Sequence, residues 1–231
     1  DAGTTNAYDF SHDKLREQIV ASLSPAYRRL LHQRVAEALQ AVYREDLETV
    51  CGQIAAHYEQ AGLVAQAIPF YQRAGTVACQ IYAHTEALHA LERAATLLEA
   101  QRSGHIVSWE TATQVYVSLG DVYTEVGRYE DARQAYQRAM SVIPSEAHLW
   151  QARLHWKIAT TWTYASKEGH DSLYPNCYLE FAQAERILTL VADPASPDWR
   201  DEWIALQFAQ IWRGSVDEMT VAIEKARPII E

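Results

Sequence analysis

The sequence predicts an all-α chain, a solenoid of antiparallel helical hairpins with about eleven helices. Three observations predict it. First, Tyr58, Ala67, Tyr71 and Ala74 are separated by nine, four and three residues, and Tyr123, Ala132, Tyr136 and Ala139 repeat those intervals. Self-similarity of small and aromatic residues at fixed spacing marks stacked hairpins. Second, only nine glycines and seven prolines interrupt 231 residues, and the intervals are rich in Ala, Leu, Gln, Glu and Arg, which lose little side-chain freedom in a helix. Third, a 48% hydrophobic and 22% charged composition is enough to bury a continuous core.

The elements follow in chain order, over 12–22, 25–43, 47–61, 64–83, 85–101, 107–126, 129–142, 146–166, 174–192, 198–213 and 215–230. Ser24-Pro25 opens the second, a Ser cap followed by Pro at the first helical position. The next two carry Cys51, Ile54, Ala55 and Tyr58, then Ala67, Tyr71 and Ala74. Ala87, Leu91 and Ala94 repeat the second-helix pattern only 20 residues later, too soon for another full hairpin. Either one long helix covers 64–83, or a break falls near Gly75. The following pair is the most regular, with Gly127 at its turn and Pro144 ending its second helix. His155, Ile158, Ala159 and Trp162 begin a third hairpin, answered by Cys177, Phe181 and Ala184 after a longer connection around 167–175. Trp203 and Leu206 begin a fourth, which turns at Gly214 and continues through Met219, Ile223 and Ala226.

The small residues have a steric meaning. Gly120 and Ala132 fall where two helices must approach most closely, and Tyr123 and Tyr136 fill the space beside them. A larger side chain at such a point costs about 1–3 kcal/mol. Tyr116, Leu119, Gly120, Tyr123, Gly127, Tyr129, Ala132, Tyr136, Ala139 and Pro144 together resemble the tetratricopeptide repeat. That resemblance implies a right-handed solenoid over residues 46–231 and a partner-binding role. Terminal repeats need polar outer faces, and Arg-Pro-Ile-Ile-Glu is not a capping helix, so further repeats are expected beyond it.

Residues 8–39 carry Phe10-Ser-His12-Asp13, Leu15-Arg16-Glu17, Ser24-Pro25, Arg28-Arg29, Leu31-His32 and Val35-Ala36-Glu37-Ala38-Leu39. They resemble the junction of the winged-helix domain and helical arm in STAND signalling ATPases, particularly bacterial regulators with tetratricopeptide sensors. The resemblance implies that residues 1–45 end that arm and that 46–231 sense an inducer. It also implies that His12 contacts the β-phosphate of ADP in the resting state of an intact parent, and that an active parent oligomerises. ATP or ADP with Mg would belong to the parent's nucleotide-binding domain. No Gly-x-x-x-x-Gly-Lys-Ser/Thr occurs and no two glycines lie within six residues of each other, so this stretch has no phosphate cradle. Alternatively, Ser11-His12-Asp13 is the polar start of a helix, with Asp13 favourable against the helix dipole. The missing initiator Met fits a piece of a longer protein.

Several chemistries are disfavoured. A net charge of −10 without a Lys/Arg stripe repels nucleic-acid phosphate. No apolar run of about 18 residues is present to cross a membrane, and residues 1–10 lack the order of a secretory signal. Cys51, Cys79 and Cys177 are sparse and odd in number, which fits reduced thiols in a cytoplasmic protein. His84/His89 and His148/His155 lack metal-ligand spacing, and no cofactor motif appears. Glu180, Glu185 and Arg186 read as solvated faces, and no nucleophile has a partner, so neither a metal site nor catalysis is expected.

The aromatics are more informative. Six of seven tryptophans lie between 150 and 212, with Trp162 and Trp203 at core repeat positions. In the repeat family the first helices line a concave groove. The corresponding positions here are Gln114, Val117, Asp121 and Thr124, then Trp156, Thr160, Thr163 and Tyr164, then Ile204, Phe208, Ile211 and Trp212. Aromatic surface with a few hydroxyls suits an inducer, protein or small molecule. Burial beneath a neighbouring repeat explains the same residues. A chaperone-tail clamp is disfavoured, since Gly52, Ala56, Val117 and Asp121 supply no cation for a terminal carboxylate. A monomeric inducer sensor and a constitutive scaffold both fit.

Overall fold

A computed structural model describes residues 22–101, 107–167, 174–211 and 216–230. The described residues form ten α-helices, one 3₁₀ turn and no strand. They are α1 (Pro25–Val42), α2 (Cys51–Gln60), α3 (Val64–Gln80), α4 (His84–Ala100), α5 (Trp109–Glu125), α6 (Tyr129–Val142), α7 (His148–Lys167), α8 (Tyr174–Leu190), α9 (Pro197–Ile211) and α10 (Val216–Ile230). The expected 129–142 helix is reproduced residue for residue. The helix expected over 47–61 opens instead with the tighter turn Leu47–Val50, a common way to enter an α-helix. The 12–22 helix falls, but for its last residue, outside the described residues. The chain packs as two compact units, Asp1–Phe70 and Tyr71–Glu231.

In the first unit, Ser24 Oγ accepts from Tyr27 N–H at 3.2 Å and Pro25 begins α1. α1 packs on α2, with Ala36, Ile54, Ala55 and Ala67 fully buried. Gln40 donates to the Tyr58 hydroxyl, and the Tyr58 ring stacks on Phe70 at 5.9 Å. His32 and His57 face each other across the same joint with their Nδ1 atoms 2.9 Å apart. Burial, and then His32, hold the His57 imidazole below its ordinary value of 6.5. The unfolded chain therefore binds more protons than the folded one just below pH 6.5, so this joint loses stability as pH falls through that window. Thermal melts at pH 7.5 and 5.5 are expected to show the acid loss in the native chain, and His57→Gln is expected to flatten it.

α3 is continuous through Gly75, and the early recurrence at Ala87 has a physical reason. Its first turns bury Ala67 and Ile68 in the first unit. From Tyr71 onward it acts as the first helix of a new hairpin with α4. A Cβ on Gly75 would lie 2.5 Å from Leu91 Cγ. Ala87, Leu91 and Ala94 are all fully buried. Gly75 therefore marks a close approach of α3 to α4 and not a break.

Three turns close α2, α3 and α5 in the same way. Leu63 N–H reaches Tyr58 O at 2.9 Å, Ala83 N–H reaches Ala78 O at 2.9 Å, and Arg128 N–H reaches Tyr123 O at 2.8 Å. Each is a Schellman end needing a left-handed residue just before that donor. Gly62 and Gly127 hold φ of 79° and 78°, but the third position is Tyr82, at φ 58°. Its ring is 82% exposed, so few contacts are at stake. Tyr82→Gly is expected to raise stability by about 1 kcal/mol in urea melts, whereas Gly127→Ala is expected to lower it by a similar amount.

The rest of the second unit is built by neighbouring helices. α4 packs on α5, α5 on α6, α6 on α7, α7 on α8, and α9 on α7, α8 and α10. Gly120 meets Tyr136 as Gly75 meets Leu91, since a Cβ there would lie 2.4 Å from Tyr136 Cε1. Ala159, Cys177, Phe181, Ala184 and Leu206 form the later core with Trp199. Trp162 and Trp203 pack against this core, as expected of them, but are only partly buried. The Trp162 ring carries the buried Arg133 guanidinium at 3.7 Å. Trp203 stacks on Trp199, whose indole N–H bonds Leu188 O at 2.9 Å. Among the described residues of α10, Ala226 is buried as the repeat register expects and Ala222 is buried too, whereas Ile223 departs from it at 45% exposed. The small-residue position of α9 is occupied by the larger Gln207, fully buried.

Candidate functional site

The groove positions are set by alternate helices of the second unit: α5, α7 and α9. Each offers a polar or aromatic residue three or four positions on from a buried one, so these side chains share one side of their helix. Lys157 joins α5 to α7. Its ammonium lies 2.7 Å from Asp121 Oδ1 and 4.9 Å from the centre of the Trp156 ring. Asp121 also accepts from the Tyr136 hydroxyl at 2.6 Å. Burial, the Asp121 charge and that hydrogen bond push the phenol well above its ordinary range, so Tyr136 stays a neutral donor.

Glu202 joins α7 to α9. Its carboxylate is deeply buried, accepting from Arg153 Nε at 2.7 Å and from the Trp156 indole N–H at 3.3 Å. Arg153 also covers the Trp150 ring at 4.5 Å. A line of matched charges therefore runs from Asp121 through Lys157 and Trp156 to Glu202 and Arg153.

Asp121 and Trp156 are brought together by this line. Gln114 is exposed. Thr124 and Thr160 are half-buried and donate to their own helices, to Gly120 O and Trp156 O, each at 2.8 Å. Tyr164 lies 6.1 Å from the Tyr129 ring, and Phe208 is 54% exposed. Ile204 and Ile211 are half-buried. Val117 and Thr163 are buried and do not line a surface, because they fall on the packed side of α5 and α7. Trp212 and His12 lie outside the described residues.

Sequence reasoning missed Lys157, Arg153 and Glu202 as parts of this face, and the buried Tyr136 of α6 as the partner of Asp121. The signal for Lys157 was available: a cation beside Trp156, one repeat after the anion Asp121. Glu202 gave none, since an isolated Glu reads as solvated. Glu180 and Glu185 are not plain solvated residues either. Glu180 bonds His155 Nδ1 at 2.6 Å and Glu185 pairs with Lys225. Cys79, at the end of α3, has its thiol pushed up by burial and by Glu125 and Asp121, so it is protonated at neutral pH. Among the described residues no cluster of three or more metal-ligating side chains occurs, and no helix is long and apolar enough to cross a membrane.

Residues 113–146, which cover most of α5 and all of α6, match the tetratricopeptide repeat model. A solved structure titled as a Podosopora anserina putative kinesin light chain with nearly identical TPR-like repeats superposes with a TM-score of 0.59. It shares 14% identity, covering 90% of this chain and 96% of that one. A MamA double mutant from RS-1 gives a TM-score of 0.52 at 11% identity, covering 90% and 97%. Comparison with curated proteins returns no match. These likenesses show the fold, a TPR-like solenoid of helical hairpins.

Proposed function

We propose that the chain is a non-catalytic module that binds a protein partner on the face shared by α5, α7 and α9. The observation that supports it is a surface whose charges are already matched, Asp121 with Lys157 and Glu202 with Arg153, while Phe208 and Tyr164 remain exposed. Such a face offers little to a free carboxylate or phosphate. It suits a segment with apolar side chains and backbone amides, which gain from aromatic contact and from hydroxyls already held in place. Peptides selected by display against the purified chain are expected to lose at least about tenfold affinity on Phe208→Glu. They are expected to keep it on Arg186→Glu, a substitution on the exposed side of α8. Binders indifferent to Phe208→Glu would refute this face.

The sequence of residues 8–39 supports a finer proposal, in which the module senses an inducer for a STAND-type ATPase. The nucleotide-binding domain would then dock intramolecularly, and partner binding would shift its resting equilibrium. Nucleotide and Mg belong to that domain, with His12 approaching the ADP phosphate only in the intact parent. The isolated chain is expected to give no heat with ADP in calorimetry. A P-loop in the parent reading frame supports the switch, and its absence leaves a constitutive scaffold.

A further inference from the structure

A cavity of about 470 Å³ opens away from the shared face, where the last turns of α4 and α6 meet the first turns of α5. None of the groove positions lines it. The floor is apolar and aromatic: Trp109, Ala112 and Tyr116 from α5, Leu98 from α4 and Val142 from α6. Ala112 leaves the space that a longer side chain would fill. At the rim, Arg138 Nη1 and Glu99 Oε1 form an ion pair at 2.9 Å, and both side chains are substantially exposed.

We propose that this cavity is a small-molecule site for an α-amino acid with a bulky apolar side chain. The size falls within the range of ligand pockets, and the lining has their usual make-up of apolar walls with a few orienting polar groups. The rim selects the headgroup. A simple acid competes with Glu99 for Arg138, and a simple amine competes with Arg138 for Glu99, each leaving one rim charge paired only with water. A zwitterion inserts between them with its carboxylate on Arg138 and its ammonium on Glu99, and both charges stay paired. The side chain then occupies the floor against Trp109 and Tyr116. This site is independent of the shared face, so either reading can fail while the other stands.

Isothermal titration of the full chain with L-phenylalanine and L-leucine tests it, with 3-phenylpropionate and phenethylamine as single-charge comparators. Saturable 1:1 binding of phenylalanine is expected, with both comparators at least about tenfold weaker. Arg138→Gln is expected to weaken phenylalanine by about tenfold, and Ala112→Leu to abolish binding by filling the floor. Arg138 is exposed at the rim, so its variant tests the site even if Ala112→Leu unfolds. Absence of binding by both amino acids up to about 5 mM would overturn the proposal. So would comparators binding as tightly as phenylalanine, or phenylalanine binding unchanged in Arg138→Gln.

Discussion

Replacing Tyr136 by alanine is expected to lower the unfolding free energy by about 3–5 kcal/mol, the range for deleting a large buried aromatic. The ring is 2% exposed and lies directly over Gly120. Its hydroxyl donates to Asp121, which also holds Lys157. Alanine therefore opens a void between α5 and α6 and removes one donor from the carboxylate that links α5 to α7. Tyr136→Phe separates the two effects and is expected to cost only about 1–2 kcal/mol. Gly120→Ala acts from the opposite side, forcing the ring out of its seat for about 1–3 kcal/mol. Gly120→Ala with Tyr136→Leu is expected to cost less than the two single changes together, because the smaller side chain makes room for the methyl group. Urea denaturation with an unchanged slope measures all of these, with Tyr136→Leu alone as the second single change.

Arg153→Ala is expected to cost about 3 kcal/mol, since it strands a buried carboxylate. Glu202 is 4% exposed, and without Arg153 it keeps only the Trp156 indole among the partners described above. The loss belongs to the orphaned charge more than to the ion pair, and a double variant shows this. Arg153→Ala with Glu202→Leu is expected to recover most of the loss, because an apolar side chain suits a buried place beside the Trp156 indole. If the double variant is as unstable as the sum of its single changes, the burial of Glu202 is not what sets the cost.

Much of this architecture is legible from small residues. Gly120, Ala132, Ala55 and Ala67 announce close approach by their size, and the structure buries all four. Gly75 carries the same message, since it meets Leu91 of α4, but spacing alone leaves it equally compatible with a helix break. Tyr82 was illegible for another reason. Its left-handed backbone is imposed by the turn, while its side chain gives no local preference for it. Among site residues, Asp121 and Trp156 follow from repeat position. Glu202 does not, because its burial depends on Arg153, 49 residues away. In α10, Ile223 matched the aromatic slot by spacing, yet it is 45% exposed while Ala222 and Ala226 are buried.

Hydrogen–deuterium exchange on the chain saturated with its best display-selected peptide tests the shared face most directly. Slowed exchange is predicted over α5, α7 and α9, centred on the segments carrying Asp121, Trp156 and Phe208, with α6 and α8 unchanged. Protection confined to α6 and α8, with none on α5, α7 and α9, would contradict it.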